Sequence, residues 1–102
     1  YKEAISAFNQ AINNNDQDAA FFFNRGMTYE KLNKLMNAAN DYGRATDLEP
    51  YNAEYYAKRA LVDYELKEYE NAVENVDRAL KFDVDNDDYF YYCGLTKLSS
   101  TE

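Results

Sequence analysis

"LMNAANDYGRAT", residues 35–46, and "YENAVENVDRAL", residues 69–80, align column by column at a spacing of 34, and "YKEAISAFNQAI", residues 1–12, falls 34 earlier in the same register. Ala recurs at Ala4, Ala38 and Ala72 and again at Ala11, Ala45 and Ala79, with a bulky residue between at Phe8, Tyr42 or Val76. Apolar side chains at i, i+4 and i+7 share one face of an α-helix, so each segment predicts an amphipathic helix whose packed face alternates small and large. Three further segments lie between them at the same period: "AFFFNRGMTYEKL" from residue 20, "EYYAKRALVDYEL" from 54 and "DYFYYCGLTKLSS" from 88. Two helix types alternating at this period predict helical hairpins in series.

Each column has a physical reading. Gly26, Ala60 and Gly94 share one, and a small residue there lets the first helix of a pair approach the second closely. Asp18, Asn52 and Asn86 precede the first helices, where a short side-chain oxygen accepts from an orphan backbone N–H and contributes about 1 kcal/mol. Pro50 stops the second helix of its pair, while Asp16 and Val84 hold the equivalent places and leave termination to local turn chemistry. Phe21, Phe22 and Phe23 are consecutive, and a helix rotates successive residues by about 100°, so they point three ways. Phe22, with Tyr56 and Phe90 in its column, is expected inside the pair, and Phe21, with Tyr55 and Tyr89, against the neighbouring repeat. Phe23 is left for the remaining side.

Composition bounds the rest. The chain has 102 residues, 46% hydrophobic and 17% aromatic, with few Gly and Pro, which predicts an ordered helical chain. A formal charge of -8 without a Lys/Arg-rich run opposes nucleic acid and anionic membranes as partners and suits basic ones. Cys93 is the sole cysteine, so no internal disulfide forms, and no stretch reads as a signal peptide or a membrane span. A reducing intracellular compartment, the cytoplasm, is the expectation. Histidine is absent, and no Gly-rich phosphate loop, paired-cysteine spacing or nucleophile elbow occurs, so neither catalysis nor a cofactor is expected. "DVDNDD", residues 83–88, offers alternating oxygens of the kind hard cations take, but lacks the loop glycine and the distant glutamate of an EF-hand; it reads as a capped turn and not a metal site.

The sequence resembles the tetratricopeptide repeats, best over residues 19–52, where Phe22, Gly26, Tyr29, Ala38, Tyr42, Ala45 and Pro50 stand at the family's spacing. Arg25 and Arg59 stand where leucine is common, Asp63 and Lys97 take the column of Tyr29, and Asn33 and Lys67 replace the glycine of the turn within a pair. The resemblance implies an all-α, right-handed solenoid of antiparallel helix pairs. It comprises a half repeat at 1–18, full repeats at 19–52 and 53–86, and a half repeat at 87–102. It also implies that first helices line a concave groove, here by Phe23, Asn24, Met27 and Glu30, then Glu54, Lys58, Leu61, Tyr64 and Glu65, then Asp88, Tyr91, Tyr92 and Leu95. Ala20, Lys31, Ala57 and Leu98 share those columns, and Ala57, Leu61 and Leu95 serve equally well as packing between helices.

The implied partner is a peptide or protein segment with apolar anchors and some Lys or Arg, and the implied role is an interaction scaffold. The alternative role is a spacer or self-assembling element of a larger complex. One branch of the family clamps a C-terminal carboxylate with lysine, asparagine and arginine. Asn24 matches the asparagine, but Glu54 and Lys58 stand where two cations are needed, and Glu54 repels a carboxylate.

Two arginines invite pairing. Arg25 is expected to bridge to Asp41 across the pair in preference to binding a ligand, and Arg59 to reach Asp63 four residues on. Cys93, in the column of Arg25 and Arg59, reads as a small buried hydrophobe. The chain opens on a second helix, 1–14, and closes on a first helix, 87–98, with "SSTE" in the turn that would lead to another repeat. Neighbouring repeats of a longer chain would cover both faces; end-to-end pairing of 87–98 with residues 1–14 of a second molecule is the competing expectation.

Overall fold

The structure, a computed structural model, describes residues 1–100. Six α-helices and no strand occur among them: α1 (Lys2–Asn14), α2 (Ala19–Lys31), α3 (Leu35–Leu48), α4 (Ala53–Glu65), α5 (Tyr69–Phe82) and α6 (Asp87–Ser100). Two compact units divide the chain, Tyr1–Pro50 with α1 to α3 and a second from Tyr51 onward with α4 to α6.

The predicted caps form. Asp18 Oδ1 accepts from Ala20 N at 3.0 Å, Asn52 Oδ1 from Tyr55 N at 3.3 Å and Asn86 Oδ1 from Tyr89 N at 3.3 Å. Asn86 Nδ2 also donates to Asp83 Oδ2 at 3.2 Å, so the acidic stretch 83–88 is a side-chain-capped turn. The turns inside the hairpins repeat too: Asn33 (φ 58°) and Lys67 (φ 64°) occupy the left-handed region. Lys34 N donates to Tyr29 O at 2.9 Å and Glu68 N to Asp63 O at 2.8 Å, the six-residue bond that ends a helix on a left-handed residue.

In the first unit, α2 and α3 run antiparallel, since Arg44 lies over Phe22 while Asp41 meets Arg25 nearer the turn. Ala38, Tyr42 and Ala45 are fully buried on the α3 face that meets α2. A Cβ placed on Gly26 would lie 2.8 Å from Tyr42 Cε1 and 3.3 Å from Asp41 Cβ. The small residue is therefore at the interhelical crossing, as its column predicted.

The second unit repeats this with α4 and α5. Ala72, Val76 and Ala79 are fully buried, Ala60 is 1% exposed, and Tyr56 stacks on Phe82 at 5.8 Å between ring centres. Tyr56, Ala57 and Ala79 form a core cluster against which Phe82 and Tyr89 pack, so Tyr89 meets the preceding hairpin as expected.

Three expectations are corrected. Phe90 is 55% exposed, whereas its column mates Phe22 and Tyr56 are each 7% exposed, because no second helix packs on that side of α6 among the described residues. The helix expected at 87–98 continues through Ser99 and Ser100, whose hydroxyl bonds back to Lys97 O at 2.9 Å; the remaining Thr101 and Glu102 of the expected "SSTE" turn lie outside the described residues. Phe23 is 8% exposed, its ring 5.5 Å from that of Tyr42. It does not stand open for a ligand; the third phenylalanine of the run is spent on packing.

Candidate functional site

In the first unit, α2 carries the sequence-predicted residues. Asn24 and Met27 are half-buried, and the Asn24 carbonyl accepts from Thr28 Oγ1 at 3.0 Å. Glu30 is half-buried and accepts from the Tyr42 hydroxyl, which fixes one carboxylate oxygen to the hairpin interior. Ala20 and Lys31 are exposed, and Lys31 Nζ lies 5.9 Å from the centre of the Tyr1 ring.

Arg25 bridges to Asp41 across the pair, as expected of a column beside Gly26. Nε donates to Asp41 Oδ2 at 2.8 Å and Nη2 to Asp41 Oδ1 at 2.7 Å, a bidentate pair, while Nη1 donates to Asn9 Oδ1 at 2.8 Å. Its Cζ lies 5.6 Å from the centre of the Phe22 ring and 5.9 Å from that of Tyr29. The hydrogen bond to Asp41 raises the guanidinium pKa further, against the opposing cost of burial. One cation thus ties α1, α2 and α3 together. The sequence reading missed Asn9, although Asp77 stands two periods on, and it is Asp77 that meets Cys93 and Lys97 of α6.

In the second unit, α4 and α6 bring the remaining candidates into one neighbourhood. Glu54 is exposed in the first turn of α4, and Asp88 is exposed in the first turn of α6. The Tyr89 hydroxyl has its pKa raised by burial first, then by the charges of Asp83 and Glu54, with Tyr92 and Asp88 adding to it. Carboxylates from two helices therefore act on one phenol. Tyr91 is 67% exposed, and its ring makes an edge contact with half-buried Tyr92 at 6.0 Å. Lys58, Leu61, Tyr64 and Leu95 are half-buried and Glu65 is exposed. Tyr64 is anchored at both ends, its ring edge-on to Tyr69 at 5.6 Å and its hydroxyl accepting from Ser99 Oγ at 3.3 Å. Ala57 belongs to the core.

Two polar expectations fail. Asp63 does not bridge to Arg59: it turns into the α4–α5 interface, 5% exposed, and accepts from Asn75 Nδ2 at 2.9 Å. Burial raises its pKa, with the Asn75 bond and the Arg59 charge pulling the other way and Glu68 adding to the rise. Asn75 Oδ1 is buried with no hydrogen-bond partner among the described residues. Cys93 is half-exposed instead of buried, its Sγ 3.5 Å from Asp77 Oδ1, and Lys97 Nζ stands 3.8 Å from the same oxygen. The Lys97 pKa is raised, first by its bond to Cys93 and then by the Asp77 charge. A column mate of arginine on an exposed rim attracts polar neighbours, which the size of cysteine alone does not reveal.

No helix among the described residues is long and apolar enough to cross a membrane. Antiparallel hairpins of two helix types, crossing at a small residue and recurring every 34 positions, define an α-helical repeat protein. The tetratricopeptide repeat model matches residues 19–52, and the chain belongs to that family. It is 35% identical over 86 residues to a wheat (Triticum aestivum) Hsp70-Hsp90 organizing protein, a match covering 84% of this chain and 15% of that one. A serine/threonine-protein phosphatase T of Aspergillus oryzae is 29% identical over 85 residues, 83% of this chain and 18% of the phosphatase. Among solved structures, the first tetratricopeptide domain of Spaghetti (RPAP3) bound to the HSP90 peptide SRMEEVD superposes with a TM-score of 0.92 at 20% identity, over 100% of this chain and 81% of that one. Likeness at this identity establishes the fold. The chain spans 15–16% of the length of the organizing proteins it matches.

Proposed function

We propose that the chain is a protein-interaction scaffold whose first helices bind a segment of another protein, with no reaction of its own. The observation that carries the reading is α6, where Asp88, exposed Tyr91 and half-buried Tyr92 share one helix face at i, i+3 and i+4, with Glu54 of α4 acting alongside Asp88 on the neighbouring Tyr89. An apolar side chain of the ligand lies against the tyrosines, and a Lys or Arg meets the carboxylates. On α2, Asn24 and Met27 offer an amide and a thioether at a half-buried face, whereas Phe23 and Glu30 serve through packing and the Tyr42 bond. Leu61, Tyr64, Glu65, Lys58 and Leu95 complete the surface in the second unit. The reading takes 19–52 and 53–86 as whole repeats flanked by halves at 1–18 and 87–102, and places the protein in the cytoplasm, in keeping with a lone cysteine.

The Spaghetti domain holds an acid-ended peptide. Here Glu54 occupies a column where the carboxylate-clamping branch has a cation, so an acidic terminus meets like charge on α4, and Lys58 alone opposes it. Basic, apolar segments are the better match to a chain of formal charge -8. Fluorescence anisotropy with two labelled peptides tests this: one carrying leucine and lysine, the other SRMEEVD. The first is expected to bind, to weaken as salt rises, and to lose affinity in Tyr91→Ser; Glu54→Lys is expected to favour the second. Preference of the unaltered chain for SRMEEVD, or indifference of both peptides to Glu54→Lys, refutes the ligand class.

A further inference from the structure

Asp63 and Asn75 face each other across the α4–α5 interface with one hydrogen bond too few. Asp63 is 5% exposed and Asn75 4%. Asn75 Nδ2 donates to Asp63 Oδ2 at 2.9 Å, and Asn75 Oδ1 is buried with no partner among the described residues. Folded proteins rarely leave a buried carbonyl oxygen unmatched. An ionised Asp63 worsens the fault, because a carboxylate only accepts and sets a second acceptor beside the amide oxygen with no hydrogen between them. A carboxylic acid differs. It presents one donor and one acceptor on the same edge, as a carboxamide does, so the two groups can join by a pair of bonds.

We infer that Asp63 and Asn75 form a two-bond latch between α4 and α5 that a proton closes: Asn75 Nδ2 donates to Asp63 Oδ2, and an acid O–H on Asp63 Oδ1 donates to Asn75 Oδ1. The surroundings decide how firmly that proton is held. Burial acts most strongly and opposes the anion; the Asn75 bond and the charge of Arg59 on α4 favour it, and Glu68, the residue before α5, opposes it again. No ion pair joins Arg59 to Asp63 among the described residues. Glu74 and Arg78 pair with each other on the exposed side of α5, and Lys97 of α6 stands by Asp77. The first hairpin lacks the latch, since Tyr29 and Asp41 hold the same columns and Asp41 is bound to Arg25. Because the folded pKa of Asp63 is raised, the contribution of the proton is fully present below the unfolded carboxylate range and is lost as pH rises through the folded pKa. The second hairpin therefore tightens on acidification and loosens when the proton leaves.

Carbon-13 NMR titration of the full chain, following side-chain carboxyl and carboxamide carbons, tests the latch. Asp63 is expected to be the last aspartate to lose its proton as pH rises. The Asn75 Cγ resonance is expected to shift with the same midpoint, because the amide oxygen loses its donor at that step. Asp63→Asn replaces the acid by an amide of nearly the same size, and two carboxamides can join by two N–H···O bonds at any pH. In that variant, with circular dichroism confirming the fold, Asn75 Cγ is expected to hold one position throughout. Loss of the Asp63 proton together with those of the exposed aspartates, an Asn75 Cγ that stays fixed in the unaltered chain, or one that still titrates in Asp63→Asn overturns the inference.

Discussion

Gly26→Ala and Gly94→Ala apply one chemical change to one repeat column in two surroundings. Within a helix, alanine is favoured over glycine by about 0.8–1.0 kcal/mol, and that gain is common to both sites. At Gly94 nothing opposes it, because the added methyl has no neighbour within 4 Å. At Gly26 the methyl would sit 2.8 Å from Tyr42 Cε1 and 2.9 Å from Cδ1, closer than carbon atoms tolerate. The ring cannot retreat: Tyr42 is fully buried, Phe23 packs against it, and its hydroxyl is bonded to Glu30. Overpacking of this kind costs roughly 1–3 kcal/mol, which cancels or outweighs the gain in helix propensity. The expected result is stabilisation of about 1 kcal/mol for Gly94→Ala and a change between about zero and 2 kcal/mol of destabilisation for Gly26→Ala. For a domain of this size, each kcal/mol moves the thermal midpoint by about 4–8 °C. Thermal melts followed by circular dichroism, at a concentration low enough to keep the chain monomeric, separate the two. A Gly26→Ala protein as stable as Gly94→Ala would remove the tight crossing from the account of the fold.

The Arg25–Asp41 bond should show a coupling of about 1–3 kcal/mol in a double-mutant cycle of Arg25→Ala and Asp41→Ala, read by urea denaturation, because both N–H···O bonds are charge-assisted and Asp41 is buried; additivity would refute it. Lys67→Gly should stabilise the second unit by about 0.5–1 kcal/mol, since a left-handed residue with a Cβ is strained, while Asn33→Gly should change little because asparagine tolerates that region; equal effects on the melts would contradict this. Asp63, whose folded pKa is raised above its unfolded value, stabilises the fold most fully below the unfolded carboxylate range and loses that contribution as pH rises through the folded pKa. Asp63→Asn should therefore be neutral or stabilising at pH 7, by up to about 1 kcal/mol, and should flatten the stability curve above pH 4; an unchanged curve would show that Asp63 is not the titrating group.

Helix positions, caps and turns were legible because each depends on residues near in sequence and recurs at a fixed interval. Asp18, Asn52 and Asn86 all cap, and Asn33 and Lys67 both adopt the turn conformation usually given to glycine. The column of Gly26, Ala60 and Gly94 identified the crossing, but not whether a partner occupies it: Gly26 is pressed against Tyr42 and Gly94 against nothing within 4 Å. Identity within a column reports what a position is suited to pack, and occupancy depends on which helix arrives. Phe90 and Phe22 differ in burial for that reason alone. Phe23 failed in the opposite sense, since helical rotation points it away from Phe22 without telling how far the neighbouring Tyr42 ring reaches.

The polar columns show the limit most sharply. Arg25 and Asp41 are legible as a pair because opposite charges sit opposite each other, and the structure joins them by two short bonds. One period later the same columns hold Arg59 and Asn75. With the carboxylate replaced by an amide, the attraction that would draw the guanidinium inward is gone, and a second acid, Asp63, stands where Tyr29 stood. Asn75 lies buried beside that acid. It donates its N–H to Asp63 at 2.9 Å, which leaves its own oxygen buried and unmatched. Sequence spacing alone favoured Arg59–Asp63 because i, i+4 pairs are the local option, but the Asp63 carboxylate hydrogen-bonds across the interface to the Asn75 amide, and Arg59 acts on it through its charge. Two differences between the columns, Asn75 in place of Asp41 and Asp63 in place of Tyr29, thus turn an interhelical ion pair into an amide–acid contact, while the alanines of each hairpin stay buried.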